Sequence, residues 1–344
     1  MNNLKNVLIV KMSSIGDVIH AMPVSWAIKE TYPKAKITWV VEKAALSLVK
    51  ANPCVDRVIL FKKEEFRASV GSFIRNTVAL RRELRAEHYD LSLDLQGLIK
   101  SAFIVKLANA DVKLGTADMR ELSDKVSRRV TGKNAGGHIV ERYLDVAREI
   151  GCAVKKVRFP LELNAREQKI AAQIAEKAGA RLSSPYAILV AGSSWPSKCW
   201  SAKSFAEYSD WLYNQKIIPI LAGAGAAEEQ KAAEIESMTE IPPVNLVGKL
   251  SLAQLGFIMK KAALVVGSDT GPVHLGAGMG AKTIMLMGPT KPYRTGTYNQ
   301  SGNIMVADRP CRECMKKVCP KGLDCLGAIK VADVAEKTRA LLNI

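Results

Sequence analysis

Val7-Leu8-Ile9-Val10-Lys11-Met12-Ser13-Ser14-Ile15-Gly16-Asp17-Val18-Ile19-His20 is the stretch that decides the fold class. Four consecutive apolar residues read as a strand buried on both faces, and such strands belong to parallel sheets. A short loop with two serines and one glycine follows, and a helix begins near Asp17. In open α/β sheets, ligands bind beyond the carboxyl ends of the strands. Asp17 therefore stands where a general base would be useful. The same position suits a helix cap, since a carboxylate accepts from orphan N–H groups there.

The pattern repeats outward from this unit. Strands are expected at Ile37–Val41, Arg57–Phe61, Leu91–Leu95 and Val112–Leu114, with helices between them at Ala44–Lys50, Phe73–Glu87, Gly97–Ala108 and His138–Ile150. The rhythm breaks at Val157–Asn164, which holds a proline and no helical period. A second series follows, with strands at Tyr186–Val190, Ile217–Ala222, Leu264–Gly267 and Thr283–Met287 and a last helix at Ala332–Leu342. Alternating strands and helices predict parallel sheets covered on both faces. The expected fold is α/β, with a first Rossmann-like domain over residues 1–160 and a second over 161–328, facing across a cleft. The last helix is left free to pack back on the first half.

Composition narrows the function. The chain has 344 residues, 48% hydrophobic and 24% charged, ordinary for a globular enzyme, but carries a net charge of +17. Such a balance implies an anionic partner: nucleic acid, a membrane surface or a phosphorylated substrate. Aromatics are 6%, so stacking platforms for single-stranded nucleic acid are scarce. No secretory pattern and no apolar run of spanning length is visible, and a cytoplasmic location is expected.

Several loops carry polar groups at predicted strand ends. The Gly16-Asp17 loop has neither the three-glycine dinucleotide fingerprint nor the P-loop pattern, so the first half is read as the acceptor side. Gln96, Lys100 and Ser101 follow the strand ending in Asp94-Leu95. In the second half, Gly267-Ser268-Asp269-Thr270-Gly271-Pro272-Val273-His274 places a helix start, an anion site by its N–H groups and dipole, after a strand. Ser193, Ser194 and Lys198, the lysine lying between Trp195 and Trp200, follow another strand, and Lys198 can set a point charge on a phosphate. Glu228 and Glu229 follow Gly223-Ala224-Gly225, where an acid can bond ribose hydroxyls or complement a helix start. No D-x-D motif is present for a divalent cation. A basic run between Lys62 and Arg85, including Arg81, Arg82 and Arg85, reads as a solvated face or as a surface for an anionic acceptor or membrane. Cys311, Cys314, Cys319 and Cys325 are spaced C-x2-C-x4-C-x5-C; structural zinc, reduced thiols and a disulfide all remain open.

The segments IVKMSSIGDVIHAMP, DLQGLIKSA, the Lys198-Cys199-Trp200 loop, GSDTGPVHLGAGMG and MGPT together resemble glycosyltransferase family 9, over nearly the whole chain. Within it the body is similar to the type I lipopolysaccharide heptosyltransferases and the cysteine tail to type II. The resemblance implies a GT-B fold and metal-independent inverting transfer of heptose from ADP-heptose to a phosphorylated lipid A inner core, at the inner membrane surface. It implies Asp17 as base, Lys198 at the donor phosphates, and Asp269, Thr270, Gly271 and His274 in the donor site. Glu228 would meet the ribose. Ser14, Gly16, Gln96, Lys100 and Arg120 are expected on the acceptor side, Arg120 and Arg142 lying in segments that resemble the family's, and by charge alone the Arg81, Arg82, Arg85 group is expected to meet the anionic acceptor. No nucleic-acid partner is implied.

Overall fold

The computed structural model describes residues 4–344. The chain divides into two compact units, the first ending at Glu162 and the second spanning Leu163–Ile344. Unit 1 carries the strands β1 (Asn6–Val10), β2 (Lys36–Glu42), β3 (Arg57–Phe61), β4 (Tyr89–Asp94), β5 (Ala110–Gly115) and β6 (Arg128–Arg129). Unit 2 carries β7 (Tyr186–Val190), β8 (Ile218–Ala222), β9 (Val244–Asn245), β10 (Leu264–Ser268), β11 (Thr283–Met287) and β12 (Ile304–Val306).

Every ladder is parallel. The sheets run β3-β2-β1-β4-β5-β6 and β12-β11-β10-β7-β8-β9. Counted from the first strand of each unit, these are one order, 3-2-1-4-5-6, read from opposite edges. In this topology the strand order reverses between the first and fourth strands, and the crevice there is the ligand site. The crevice falls between β1 and β4 in unit 1 and between β7 and β10 in unit 2.

The central strands are apolar because both faces are covered. Val7, Leu8, Ile9 and Val10 are fully buried, as are Ile188 and Leu189 of β7 and Val265 and Val266 of β10. A buried side chain of this size is worth roughly 1.5–3 kcal/mol over an exposed one. The outer strands β6 and β9 hold two residues each, too few for any periodic signal.

The C-terminal helix Val331–Leu342 packs within unit 2, against the helix Ala202–Asn214. The Tyr208 hydroxyl and Thr338 Oγ1 meet there at 2.6 Å, both buried. By these contacts the last helix is counted in unit 2, beyond the bound of 328 expected for the second domain. No described helix is long and apolar enough to cross a membrane.

Candidate active site

At the unit 1 crevice the loop Lys11–Ser14 is fixed from both sides. The indole N–H of Trp39 donates to the Lys11 carbonyl at 3.0 Å and the Glu42 N–H to the Met12 carbonyl at 3.1 Å. From β4's side, Gln96 Oε1 accepts from the backbone of both Met12 and Ser13 at 3.1 Å. Lys100 Nζ donates to Ser13 Oγ at 2.9 Å and to Glu42 Oε1 at 2.8 Å. Gln96 and Lys100, expected to face an acceptor, thus hold the loop in place.

The loop delivers its chain to the helix Ile15–Thr31 with Ser14 as N-cap. Asp17 Oδ2 accepts from Ser14 N at 3.1 Å and from Ser14 Oγ at 2.9 Å. The capping role is therefore real, and it engages one carboxylate oxygen. The Asp17 side chain stays 39% exposed at the carboxyl edge of the sheet. Gly16 lies in the same turn, in the first residues of the helix.

Behind Asp17 sits a residue that sequence reading missed. Lys11 is 3% exposed, with its Nζ 4.0 Å from Asp17 Oδ2 and 5.2 Å from the Tyr143 ring centre. Burial pushes its ammonium pKa down, while the charges of Asp17 and Asp94 oppose that fall. Asp94 is fully buried; its Oδ1 accepts from Gln96 N and Gly97 N, and its Oδ2 from Ser101 Oγ. Burial pushes its carboxyl up, against these hydrogen bonds and Lys11. A lysine directly after an apolar strand was the available signal for Lys11, but lysine usually reads as surface.

Three of the expected arginines lie elsewhere. The helix Val70–Leu84 joins β3 to β4, and its last turn carries Arg81 and Arg82, with Arg85 following. That end lies at the amino edge of the sheet: Arg57, the first residue of β3, donates to the Glu83 carbonyl, and Arg85 to the Leu107 carbonyl just before β5. The structure does not bring Arg81, Arg82 and Arg85 to the Asp17 loop. Arg120 is exposed, with its N–H bonded to the Gly97 carbonyl. Arg142 is buried, and its Nη1 donates to both carboxylate oxygens of Asp118 at 3.0 Å. The cluster His88, Asp90 and Asp111 also lies at the amino edge, where Asp90 accepts from the backbone of Lys5 and Asn6.

At the unit 2 crevice three loops converge. After β10, Asp269 is 7% exposed, with Oδ1 at 2.8 Å from His274 Nε2 and Oδ2 at 2.9 Å from Lys198 Nζ. Burial alone would raise its carboxyl pKa. The bond to His274 and the charges of His274 and Lys198 outweigh burial and hold it well below the usual range. Thr270 is the N-cap of the helix Gly271–Gly278 but makes no capping bond; its hydroxyl turns back to the Ser268 carbonyl at 3.3 Å. Pro272 brings no N–H, and the remaining donors of the first turn have no acceptor within the helix. Such an end suits an anion.

Lys198 follows β7. Its Nζ lies 4.7 Å above the Trp195 ring, while Trp200 turns inward and donates to the Ile329 carbonyl. The two tryptophans therefore differ: one orients the lysine and the other anchors the core. Ser193 Oγ accepts from Trp195 N at 3.2 Å, closing the turn, and Ser194 is exposed.

Glu228 reaches across from the helix Ala226–Met238 to the β7 and β8 loops. A Cβ on either Gly192 or Gly223 would overlap its side chain, so both must be glycine for it to sit there. Its Oε2 accepts from Ala224 N. Burial pushes its carboxyl up, partly offset by that bond. Glu229 is exposed and turns toward Gly248. Of the two glutamates, Glu228 belongs to the crevice.

All four tail cysteines are free, as are the other three. Burial raises the Cys325 thiol pKa, and the neighbouring Cys314, Cys311 and Cys319 add to the rise.

Comparison with known proteins shows the family and the fold. Residues 77–323, more than half of the chain, match the model of glycosyltransferase family 9 (heptosyltransferase). The chain is 29% identical to lipopolysaccharide heptosyltransferase 1 of Pseudomonas aeruginosa over 91% of this chain and 87% of that protein. Among solved structures it is similar to the Escherichia coli heptosyltransferase WaaC with ADP, at a TM-score of 0.77 and 27% identity, covering 98% of this chain and 99% of that one. The family 9 glycosyltransferase from Veillonella parvula shares the fold at a TM-score of 0.86 and 20% identity, covering 100% and 98%. The two Rossmann-like sheets are those of the GT-B class. The chain belongs to glycosyltransferase family 9, the heptosyltransferase family, and is a glycosyltransferase.

Proposed function

We propose that the enzyme moves heptose from ADP-heptose to the phosphorylated, Kdo-bearing lipid A inner core of lipopolysaccharide, inverting the anomeric carbon without a metal ion in the chemical step. The observation that carries this reading is Lys198 held by Asp269 beside an uncapped helix start. Lys198 and the N–H groups of Gly271 and Val273 meet the diphosphate and support the charge of departing ADP. Glu228 accepts from the ribose. The relatives' heptose and lipopolysaccharide specificity and the ADP of the WaaC structure support the donor and the acceptor class.

In unit 1, Asp17 takes the proton of the acceptor hydroxyl as its oxygen attacks the anomeric carbon and the bond to the ADP oxygen breaks. The Ser14 bonds fix the carboxylate by Oδ2, leaving Oδ1 as the oxygen for the proton. A positioned base of this kind contributes about 10²–10⁴ in rate. Ser14, Gly16 and Lys100 shape the acceptor side of that loop.

The charge of unit 1 also fits an anionic membrane surface. Val70, Ile74 and Val78, four residues apart on one helix, are 78%, 58% and 62% exposed, and Arg75, Arg81 and Arg82 share that helix. An exposed apolar stripe with basic neighbours suits the boundary between headgroups and acyl chains. This supports a peripheral location at the cytoplasmic face of the inner membrane.

Calorimetry with ADP-heptose, ADP and UDP-sugars tests the donor. ADP and ADP-heptose should bind and UDP-sugars should not. Cleavage of ADP-heptose at full rate without any acceptor would overturn transfer. Type I and type II inner-core acceptors, assayed side by side, then decide which acceptor the similarity of the cysteine tail to type II reflects.

A further inference from the structure

Cys311, Cys314, Cys319 and Cys325 lie outside the machinery described above, yet all four line one small pocket. The segment between them has no helix or strand, and its side chains face solvent: Met315, Val318 and Leu323 are 44%, 65% and 43% exposed. With almost no apolar burial of its own, such a segment needs another source of order.

Two further observations single out the pocket. Arg309 lines it, and its Nε is buried with no hydrogen-bond acceptor. A metal-bound thiolate accepts N–H bonds, and ligating groups are regularly supported in this way. Lys316 also lines the pocket, with Arg312, Lys317 and Lys321 on the same segment. Four thiolates around a divalent ion keep a net negative charge, and these cations offset it.

The segment is also tied to the donor loops. Ser197, beside Lys198, donates from Oγ to the Lys316 and Lys317 carbonyls at 2.7 and 2.9 Å, and its N–H reaches the Lys317 carbonyl at 3.3 Å. Glu313 N donates to the Gly288 carbonyl and Met315 N to the Pro289 carbonyl, both at 2.8 Å. A Cβ on Gly288 would stand 2.6 Å from Cys325 Sγ.

We propose that Cys311, Cys314, Cys319 and Cys325, which share this pocket, bind one soft divalent ion, zinc or ferrous iron, that orders the wall behind Lys198. Four cysteine thiolates are the closed ligand set of structural sites, and this set leaves no open position for chemistry. Binding converts four thiols to thiolates and releases their protons to solvent. No three of the four sulfurs lie within 4.8 Å of one another, so binding draws the segment inward.

The test uses the full chain, purified anaerobically with reductant. Elemental analysis should find about one equivalent of zinc or iron, and which of the two it finds names the ion. Metal-free reduced protein titrated with cobalt should develop sulfur-to-cobalt charge-transfer absorption, saturating at one equivalent. Cys314→Ser and Cys325→Ser should lose the ion, whereas Cys152→Ser should keep it. Removing the ion from the wild type should weaken ADP binding about tenfold, the scale on which supporting contacts act, and adding it back should restore binding. The ADP readout rests on the proposed donor; the metal content does not. A chain free of zinc and iron that gives no cobalt–thiolate absorption, or one with disulfides among these cysteines under anaerobic reduction, would overturn the site. Metal content at one equivalent with ADP affinity unchanged on removal would overturn the link to Lys198.

Discussion

Lys198 and Asp269 are joined twice: the lysine Nζ donates to the carboxylate Oδ2 at 2.9 Å and to the carbonyl of the same residue at 3.1 Å. The second bond ties the ammonium to the backbone one residue before the helix N-cap. A change in the lysine therefore disturbs the carboxylate and the helix start together.

Lys198→Ala should weaken ADP binding and also lower stability. Removing one partner of a buried pair leaves the other uncompensated, at a cost of about 3–5 kcal/mol in fully buried cases. The lysine here is 14% exposed and His274 remains on the carboxylate, so about 1–3 kcal/mol is expected. Urea titration and calorimetry read the two effects separately. Intact stability with lost ADP affinity would show that the pair matters to ligand alone.

Acid should expose the Asp269 contribution. Its folded carboxyl lies below the ordinary 3.8, so the stabilisation is complete above the ordinary carboxylate range. It is lost as pH falls from that range toward the depressed value. Stability curves of wild type and Asp269→Asn should thus converge on acidification, and a constant gap between them would refute the assignment.

Asp17 invites a split test, because cap and base require different things of it. Asp17→Asn keeps an acceptor for the Ser14 N–H and should hold stability within about 1 kcal/mol. The same change removes the base and should lower turnover by about 10²–10⁴ with ADP affinity kept. Asp17→Ala should lose both. Normal turnover in Asp17→Asn would reduce Asp17 to a cap.

Gly192→Ala and Gly223→Ala should each reproduce the ADP-binding loss of Glu228→Gln, since a Cβ at either position displaces that side chain. Glu229→Gln should leave ADP affinity unchanged. Equal losses from both glutamates would mean that the helix charge, not Glu228, is what the nucleotide senses.

Replacing Arg81, Arg82 and Arg85 together with Gln should leave the KM for a detergent-dispersed acceptor within about twofold, as for ordinary surface changes. Binding to anionic vesicles should weaken by roughly 1 kcal/mol for each charge that reaches the membrane surface. Co-sedimentation at low and high salt measures this, and a raised KM without a vesicle effect would return these arginines to the acceptor site.

Much of this was readable from residue order. The apolar runs of β1, β7 and β10 and the short loops after them locate both crevices, because a parallel strand buried on two faces has a distinctive composition. Helix direction is what separates the end of the basic run from the Asp17 loop. In a β–α–β unit the helix runs back along the sheet, so residues late in Val70–Leu84 end up at the amino edge. Gln96 and Lys100 show a second limit. Their polar ends meet neighbouring backbone and side chains, and only folded coordinates reveal which partner a polar side chain takes. Lys11 meets the ring of Tyr143, far along the chain, and no local pattern announces that contact.

The two sheets share one strand order but end in unlike loops. A sheet of this topology supplies the crevice before any side chain is chosen, so each half is free to vary its loops on an unchanged frame. Under the proposed division of roles, drift in the loops of β1 and β4 would redirect the enzyme to another sugar acceptor while its nucleotide preference stays put. Drift after β7 and β10 would do the converse. The duplicated frame makes acceptor and donor preference separately inheritable traits within a single chain.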